Sequence, residues 1–171
     1  MPVFRGDSQS TAISQEARDG IIDQIGSEIS GSTSENGPVI FEIPLKGMDE
    51  YDVLVVWEEW ETKQIPSESR GDLIAEVYKS MSSPIADHIA LTLGATYAEA
   101  LEQHLLPYVI VPNLDRFAMP NDKMVSAMKK RGAFRLPKNR LDLRFPTLEM
   151  AHKAHKQLVD EIPEGYWSTV Q

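Results

Sequence analysis

The sequence predicts an α+β protein, a two-layer sandwich with a mixed or antiparallel sheet, of which a ferredoxin-like arrangement is the simplest version. Two observations lead to this class. Residues 39–45 and 52–60 are rich in β-branched and aromatic side chains, and the six residues between them suit a hairpin loop. Beyond the hairpin, segments with helical spacing alternate with short strand-like segments. The hairpin itself argues against a purely parallel sheet.

The first 37 residues are predicted to form a flexible N-terminal arm in front of a single α+β domain at 38–171. The arm ends in a polar stretch rich in glycine and serine, which is typical of a linker. Within it, residues 14–29 carry isoleucines at spacings of three and four, which predicts an amphipathic helix capped by Ser14. This stripe has no partner inside the arm. We expect it to dock on the domain or on a second subunit, or to be disordered when alone.

The elements of the domain follow from the spacing of apolar residues. After the hairpin, helices are predicted at 68–81 and at 85–93. Thr96 and Glu99 have the spacing of a capping box, which predicts the start of a third helix. Residues 108–112 are predicted to form a strand.

The last third of the chain repeats this alternation. Asn121 or Asp122 is expected to cap a helix that Gly132 ends. Residues 140–145 alternate between apolar and polar side chains, which predicts a half-buried strand. Thr147 is expected to cap the final helix.

Composition excludes several classes of protein. The 171 residues include no cysteine, so zinc sites built on cysteine, thiolate-held iron–sulfur clusters and cysteine hydrolases are excluded. No apolar run approaches the roughly 20 residues that span a bilayer, and no secretory signal is recognisable. We therefore expect a cytoplasmic protein without a membrane partner. Phosphate-loop, dinucleotide-binding and serine-nucleophile motifs are absent, so no cofactor is expected, and a non-enzymatic role is favoured.

The charge is distributed unevenly along the chain. The net charge is −9, yet residues 1–115 carry a net −14 and residues 116–171 a net +5. One hypothesis is a polyanion or nucleic-acid surface in segment 123–144. Its candidate residues are Lys129, Lys130, Arg131, Arg135, Lys138, Arg140 and Arg144. The overall acidic charge and a pI near 4.9 argue against it, and the two halves are expected instead to pair with each other or with another copy.

A second hypothesis is a divalent-metal enzyme built on carboxylates. The acidic residues at the end of the second predicted strand and the start of the next helix could supply oxygen ligands. The candidate ligands are Glu58, Glu61, Glu68 and Asp72. A solvated, charged sheet edge explains the same residues more simply.

The favoured hypothesis is a protein-interaction or self-assembly module, whose partner is a second copy of the chain or another protein. Trp60 lies among glutamates near a predicted strand end, where an exposed indole can anchor a partner, although packing into the protein is favoured over ligand binding. Trp167 is expected either to pack back on the domain or to contact a neighbour. With the stripe of the arm, the candidate interaction residues are Ile21, Ile25, Ile29, Trp60 and Trp167.

Overall fold

The computed structural model describes residues 13–32, 34, 36–112, 121–135, 141–162 and 167–171, which form an α+β structure. The strands are β1 (Val39–Pro44), β2 (Tyr51–Val56), β3 (Ile89–Ala95), β4 (Tyr108–Ile110), β5 (Phe134–Arg135) and β6 (Leu141–Phe145). The helices are α1 (Gln15–Ile29), α2 (Glu59–Thr62), α3 (Ser67–Ser80), α4 (Tyr97–Glu102), α5 (Asp122–Lys129) and α6 (Leu148–Glu161), with a 3₁₀ turn at Ala86–His88. Among the helices of the described residues, none has the length and hydropathy needed to cross a membrane.

The first three strands form one mixed sheet, sheet 1, in the order β1-β2-β3. The hairpin partners β1 and β2 are antiparallel, with Phe41 opposite Leu54. β3 runs parallel to β2, with Leu93 opposite the same Leu54. Because parallel neighbours need a crossover, α3 passes over one face of the sheet between them. The predicted α+β class with a mixed sheet is confirmed, and β1 and β3 are the edges of sheet 1.

The remaining strands form a second three-stranded group, sheet 2, in the antiparallel order β4-β6-β5. The segment 167–171 pairs with the outer edge of β4. The Val109 N–H donates to the Gln171 carbonyl at 3.1 Å, and the Gln171 N–H donates back over the same distance. The Ser168 N–H donates to the Val111 carbonyl at 2.8 Å. The chain therefore covers this edge of sheet 2 with its own backbone.

Two apolar cores lie on the two faces of sheet 1. The helix-side core packs Val53 and Val55 of β2 against α1 and α3. The sheet-side core packs Leu54 and Val56, the alternate residues of the same strand, against sheet 2, α5 and α6. Both faces of β2 are buried, as its near-continuous apolar sequence predicts.

The predicted helix in the N-terminal arm forms, and it belongs to the domain. Ser14 caps α1 by accepting from the Ala17 N–H, and Arg18 makes an ion pair with Glu76 of α3. Ile21 and Ile25 are 0% exposed within the helix-side core. Of the alternatives open for this helix, docking on the domain is the one that the structure shows, because α3 supplies the apolar partner that the stripe lacks locally. Residues 1–12, 33 and 35 of the arm lie outside the described residues.

Short-range capping signals are confirmed. Thr96 and Glu99 form the reciprocal bonds of a capping box at the start of α4. Asn121 and Thr147 each accept a backbone N–H bond at the starts of α5 and α6. These signals work because donor and acceptor lie within four residues of each other.

Two element predictions are wrong. Residues 85–93 form a 3₁₀ turn and most of β3 rather than a helix. Their apolar residues fit both helical and alternating spacing, and pairing with β2 decides between the two. The second predicted strand also stops at Val56 instead of reaching Trp60, since α2 begins at Glu59.

Candidate interaction groove beside strand β1

An open groove of about 1110 Å³ runs beside β1. Its walls come from three parts of the chain that are distant in sequence. They are the end of α1 with the residues that follow it, α5 with the turn after it, and the first half of α6. A smaller recess of about 370 Å³ adjoins the α1 end and is lined by Ile29 and Ile40, among others.

Four consecutive residues, Val39–Glu42, line the groove. Successive side chains of a strand point to opposite faces of the sheet. Phe41 accordingly packs in the sheet-side core, whereas Ile40 packs against the helix-side core. A groove over one face would be lined by every second residue, so this groove follows the edge of the strand.

The edge that faces the groove has no strand partner among the described residues. β1 pairs with β2 on one side only, and no other described part of the chain makes a hydrogen bond to the backbone groups on its outer side. An edge strand presents a row of N–H and C=O groups that can pair with another extended segment.

The floor of the groove is apolar. Phe41 and Phe145 are buried and meet edge to face, with ring centroids 6.4 Å apart. Val125 of α5 and Met150 of α6 are half-buried above them. Aromatic and flexible apolar side chains of this kind provide contact area for apolar groups of a ligand.

The turn after α5 is held against the start of β1. Gly132 has φ +77°, a conformation that favours glycine. A Cβ atom at this position would lie 2.6 Å from Cγ1 of Val39, which is far inside van der Waals contact. Glycine is therefore required both by the backbone and by the close approach that shapes this end of the groove.

One side of the groove is acidic. Glu28 of α1 is partly buried there, and burial raises the pKa of its carboxyl although a hydrogen bond from the Ser34 backbone opposes this. Glu42 accepts a hydrogen bond of 2.7 Å from the Tyr78 hydroxyl. Burial, and then the bond to Glu42, raise the pKa of Tyr78, so this hydroxyl stays protonated and donates. We call Glu28 and Glu42 the acidic side.

The other side of the groove belongs to α5 and α6 and carries a net positive charge, although Asp122 and Glu149 also line it. Lys129, Lys130 and Lys153 line it and are exposed. Lys130 lies 3.4 Å from Glu161, a carboxylate outside the groove. We call these three lysines the basic side. No ion pair among the described residues joins Lys130 or Lys153 to the acidic side.

Three of the seven cations proposed to bind polyanions are in ion pairs within the chain. Besides Lys130, Arg131 lies 2.8 Å from Glu161, and its hydrogen bond lowers the pKa of that carboxyl. Arg144 lies 2.8 Å from Asp142. The side chain of Arg135 and the whole of Lys138 and Arg140 lie outside the described residues.

The ion pairs do not follow the expected pattern of acidic half with basic half. Arg18–Glu76, Lys63–Glu59 and Arg70–Glu99 lie within the acidic half, whereas Lys130–Glu161, Arg131–Glu161 and Arg144–Asp142 lie within the basic half. Each of these pairs thus joins two residues of the same half. The two halves instead face each other across the groove.

The proposed interaction residues lie in the cores rather than on a free surface. Ile21, Ile25 and Trp60 are 0% exposed, Trp167 is 5% exposed, and Ile29 is partly buried. Of the two alternatives for Trp60, packing inside the protein is the one that forms, because α2 turns this side chain inward. Its N–H donates to the Val55 carbonyl at 3.3 Å, and its ring lies edge to face with Trp57. Trp167 packs back on the domain in the sheet-side core.

The four proposed metal ligands do not form a metal site. Glu58 accepts a hydrogen bond of 2.7 Å from the Tyr97 backbone N–H, while Glu61, Glu68 and Asp72 are exposed. The part of the chain that the structure describes contains no group of three or more histidine, aspartate or glutamate side chains suited to a metal ion.

A second polar cluster lies at the carboxyl ends of β2 and β3, where ligands often bind in parallel sheets. Here its groups bind one another. Arg70 is 6% exposed, donates to the Ile65 carbonyl at 3.0 Å, pairs with Glu99, and lies 5.9 Å from the centre of the Trp60 ring. Burial alone would raise the pKa of Glu99, but hydrogen bonds from Thr96 and Arg70 together lower it. This cluster braces the fold.

Sequence reasoning missed the groove residues, although one signal pointed to them. Glu42 and Pro44 interrupt an otherwise apolar strand, and both residue types are common on edge strands. They identify β1 as an edge strand. The residues opposite that edge follow more than 80 positions later, and nothing local connects the two.

Comparison of the chain with protein-family models, with curated proteins and with solved structures finds no significant match.

Proposed function

We propose that this protein is a non-enzymatic protein-interaction module that binds an extended segment of another polypeptide as an additional strand beside β1. The observation that carries this proposal is the lining of the groove by four consecutive residues, Val39–Glu42, along an edge without a described strand partner. In strand addition, backbone hydrogen bonds provide affinity, and contacts with alternate side chains provide specificity.

The size of the groove supports a peptide ligand. The six residues of β1 span about 20 Å at roughly 3.3 Å per residue. The groove volume of about 1110 Å³ exceeds the roughly 300–1,000 Å³ of sites for drug-sized molecules. An extended segment of similar length would cover the Phe41–Phe145 floor and pair with the open edge.

A second copy of the chain is a poorer occupant than another polypeptide. If two copies paired β1 with β1 about a twofold axis, both Glu42 side chains would lie on the same face of the joined sheet. Like charges on neighbouring strands repel. Self-assembly through this edge is therefore the alternative that the experiments below must separate from peptide binding.

The other functions considered from the sequence have less support. Ion pairs within the chain engage three of the seven cations of the polyanion hypothesis. The carboxylates of the metal hypothesis form no cluster among the described residues. Neither is proposed here.

The test is to select peptides from a random 12-residue library on the full chain and then to measure amide hydrogen exchange of the complex. We expect the selected peptides to slow exchange at outward-facing amides of residues 39–43, because these N–H groups gain hydrogen-bond partners. Peptides that bind without slowing exchange in β1 would contradict strand addition.

Two matched variants of α5 locate the binding site. Ser126 is exposed and lines the groove, whereas Lys123 is exposed on the same helix and does not. Ser126→Trp should weaken binding of the selected peptides by at least about tenfold through steric block. Lys123→Trp should leave it unchanged, and equal effects of the two substitutions would place binding elsewhere.

Light-scattering mass at low and high salt tests self-assembly. We expect a monomer in both conditions. A dimer that Ser126→Trp dissociates would replace peptide binding by self-association through the same groove. The full chain must be used, because removal of residues 1–36 would also remove Ile21 and Ile25 from the core.

A further inference from the structure

The opposite charges of the two sides of the groove determine which peptide sequence the groove favours. Glu42 is on the face of β1 that carries α1 and α3, since Tyr78 of the helix-side core donates to it. Glu28 lies on the same side, at the end of α1. Phe41 is on the opposite face, towards Phe145 and the lysines of α5 and α6.

Paired strands place directly opposed side chains on the same face of a sheet. In a segment added beside β1, the residue opposite Glu42 would point to the acidic side. Its neighbours in the segment, one position before and after, would point to the Phe41–Phe145 floor and the basic side. Successive side chains of the bound segment must therefore alternate as those of β1 do, between the acidic side and the side of the Phe41–Phe145 floor.

We infer that the bound segment alternates basic residues with apolar or acidic residues, the basic ones facing Glu28 and Glu42 and the others facing Phe41, Phe145 and the basic side. This inference rests on the proposed function and specifies the class of polypeptide that it recognises. Charge complementarity of this kind selects among partners more than it adds raw affinity.

The charges are available for this role. No ion pair among the described residues joins Glu28 or Glu42 to Lys130 or Lys153, so these two lysines do not neutralise the acidic side. A lysine or arginine beside Glu28 would also offset the burial that raises the pKa of this carboxyl. The same alternation disfavours the β1 sequence itself as a partner, because it carries Glu42 where a basic residue is needed.

The probes are two synthetic eight-residue peptides of identical composition, both acetylated and amidated. One alternates four lysines with Val, Leu, Val and Glu, and the other carries its four lysines in one block. The two peptides have the same net charge, so general attraction to an acidic protein affects both equally. We expect the alternating peptide to bind at least about fivefold more tightly, and equal affinities would overturn the inference.

Matched protein variants test the acidic side. Glu42→Gln removes the charge but keeps an acceptor for the Tyr78 hydroxyl, whereas Glu102→Gln removes a charge from an exposed residue outside the groove. The alternating peptide should bind about three- to fivefold more weakly to Glu42→Gln, the range expected of a partly exposed charge pair. It should bind Glu102→Gln as it binds the natural sequence, and equal losses in both variants would overturn the inference.

Failure of this inference is distinguishable from failure of the proposed function. If library-selected peptides slow exchange in β1 but show no alternation of charge, strand addition holds and the charge pattern is wrong. If no selected peptide affects exchange in β1, the proposed function itself is wrong and the inference falls with it.

Discussion

The outer edges of β4 and β1 differ in whether a described segment of the chain pairs with them. The outer edge of β4 is covered by residues 167–171, through backbone bonds of 2.8–3.1 Å that involve Val109 and Val111. The outer edge of β1 opens into a groove with an apolar floor and charged sides. The first edge shows that this fold accommodates an extended segment beside a short strand. The outer edge of β1 has the same unpaired N–H and C=O groups, and no described segment pairs with them.

The contrast between the two edges favours β1 as the binding site of a ligand. Natural proteins cover or blunt exposed edges because open edges promote aggregation. β3, the other edge of sheet 1, lines neither of the two grooves described above. Of the two edges of sheet 1, β1 combines an open edge with walls that would select an occupant, which makes it the stronger candidate.

Removing the anchor of the covered edge should have the largest effect. Trp167 is buried in the sheet-side core, and Trp167→Ala should lower the free energy of unfolding by about 3–5 kcal/mol. Hydrogen exchange at Val109 should become faster at the same time. Chemical denaturation measures the first effect, with Thr169→Ala, at an exposed position of the same segment, as the control. Equal stabilities of the two variants would show that this segment does not hold the edge.

The wall that α1 contributes to the open edge can be tested in the same way. Ile25→Ala should lower the free energy of unfolding by about 3 kcal/mol, because it leaves a cavity between α1 and α3. Gln24→Ala, at the neighbouring exposed position, should change it by less than about 0.5 kcal/mol. If Ile25→Ala were as mild as its control, α1 would not be an integral part of the domain.

Substitutions at two glycines with positive φ distinguish the stability cost of backbone strain from the cost of a steric clash beside the groove. Gly31 has φ +91° with nothing near its would-be Cβ, whereas Gly132 has φ +77° and faces Val39. Gly31→Ala should cost about 1 kcal/mol from strain alone. Gly132→Ala should cost about 1 kcal/mol more, because Val39 must also move. Thermal unfolding of both variants checks the difference, and equal losses would mean that the turn does not press on β1.

The smallest expected effects on stability concern two carboxylates whose pKa values are shifted in opposite directions. The raised pKa of Glu28 means that its charge costs stability above that pKa, and the cost disappears as the pH falls through it. The lowered pKa of Glu99 means that its charge contributes stability, which is lost as the pH falls through that lower value. At pH 7, Glu28→Gln should stabilise and Glu99→Gln should destabilise, each by less than about 1 kcal/mol because both groups are partly exposed.

The free energies of unfolding of the two variants and of the natural sequence, measured from pH 7 to pH 3, test these two predictions. The difference between Glu28→Gln and the natural sequence should vanish first, and the difference for Glu99→Gln should shrink only at lower pH. Two differences of the same sign at pH 7 would contradict the assignment of burial to Glu28 and of hydrogen bonding to Glu99.

Much of the fold could be predicted because its signals are local. The β1–β2 hairpin, the capping box at Thr96 and the caps at Asn121 and Thr147 each depend on a few neighbouring residues. β3 could not be assigned, because its apolar residues satisfy two periodicities and a parallel partner 38 positions earlier decides between them, as the pairing of Tyr51 with Ile89 indicates.

Little of the candidate site could be predicted. From the sequence, Trp60 and the isoleucines of α1 were candidates for contact with a partner, because the surfaces that bury them are remote along the chain. The groove exists only where β1, α1, α5 and α6 meet, and no short segment contains it. The separation of acidic and basic residues along the chain is visible in the sequence. The sequence suggested that the two halves pair with each other, whereas the described ion pairs form within each half and the halves face each other across the groove.

The division of the strands into two sheets also has a consequence for the order of folding. The described strands of residues 39–95 pair only with one another, and those of residues 108–145 pair with one another and with the segment 167–171. Each sheet can therefore form by closing loops within its own stretch of chain, which is faster than pairing across the whole length. The two sheets meet through contacts such as Phe41 with Phe145. Because the acidic and basic sides of the groove come from different parts of the chain, a ligand that requires both sides recognises only a chain in which the two sheets are joined.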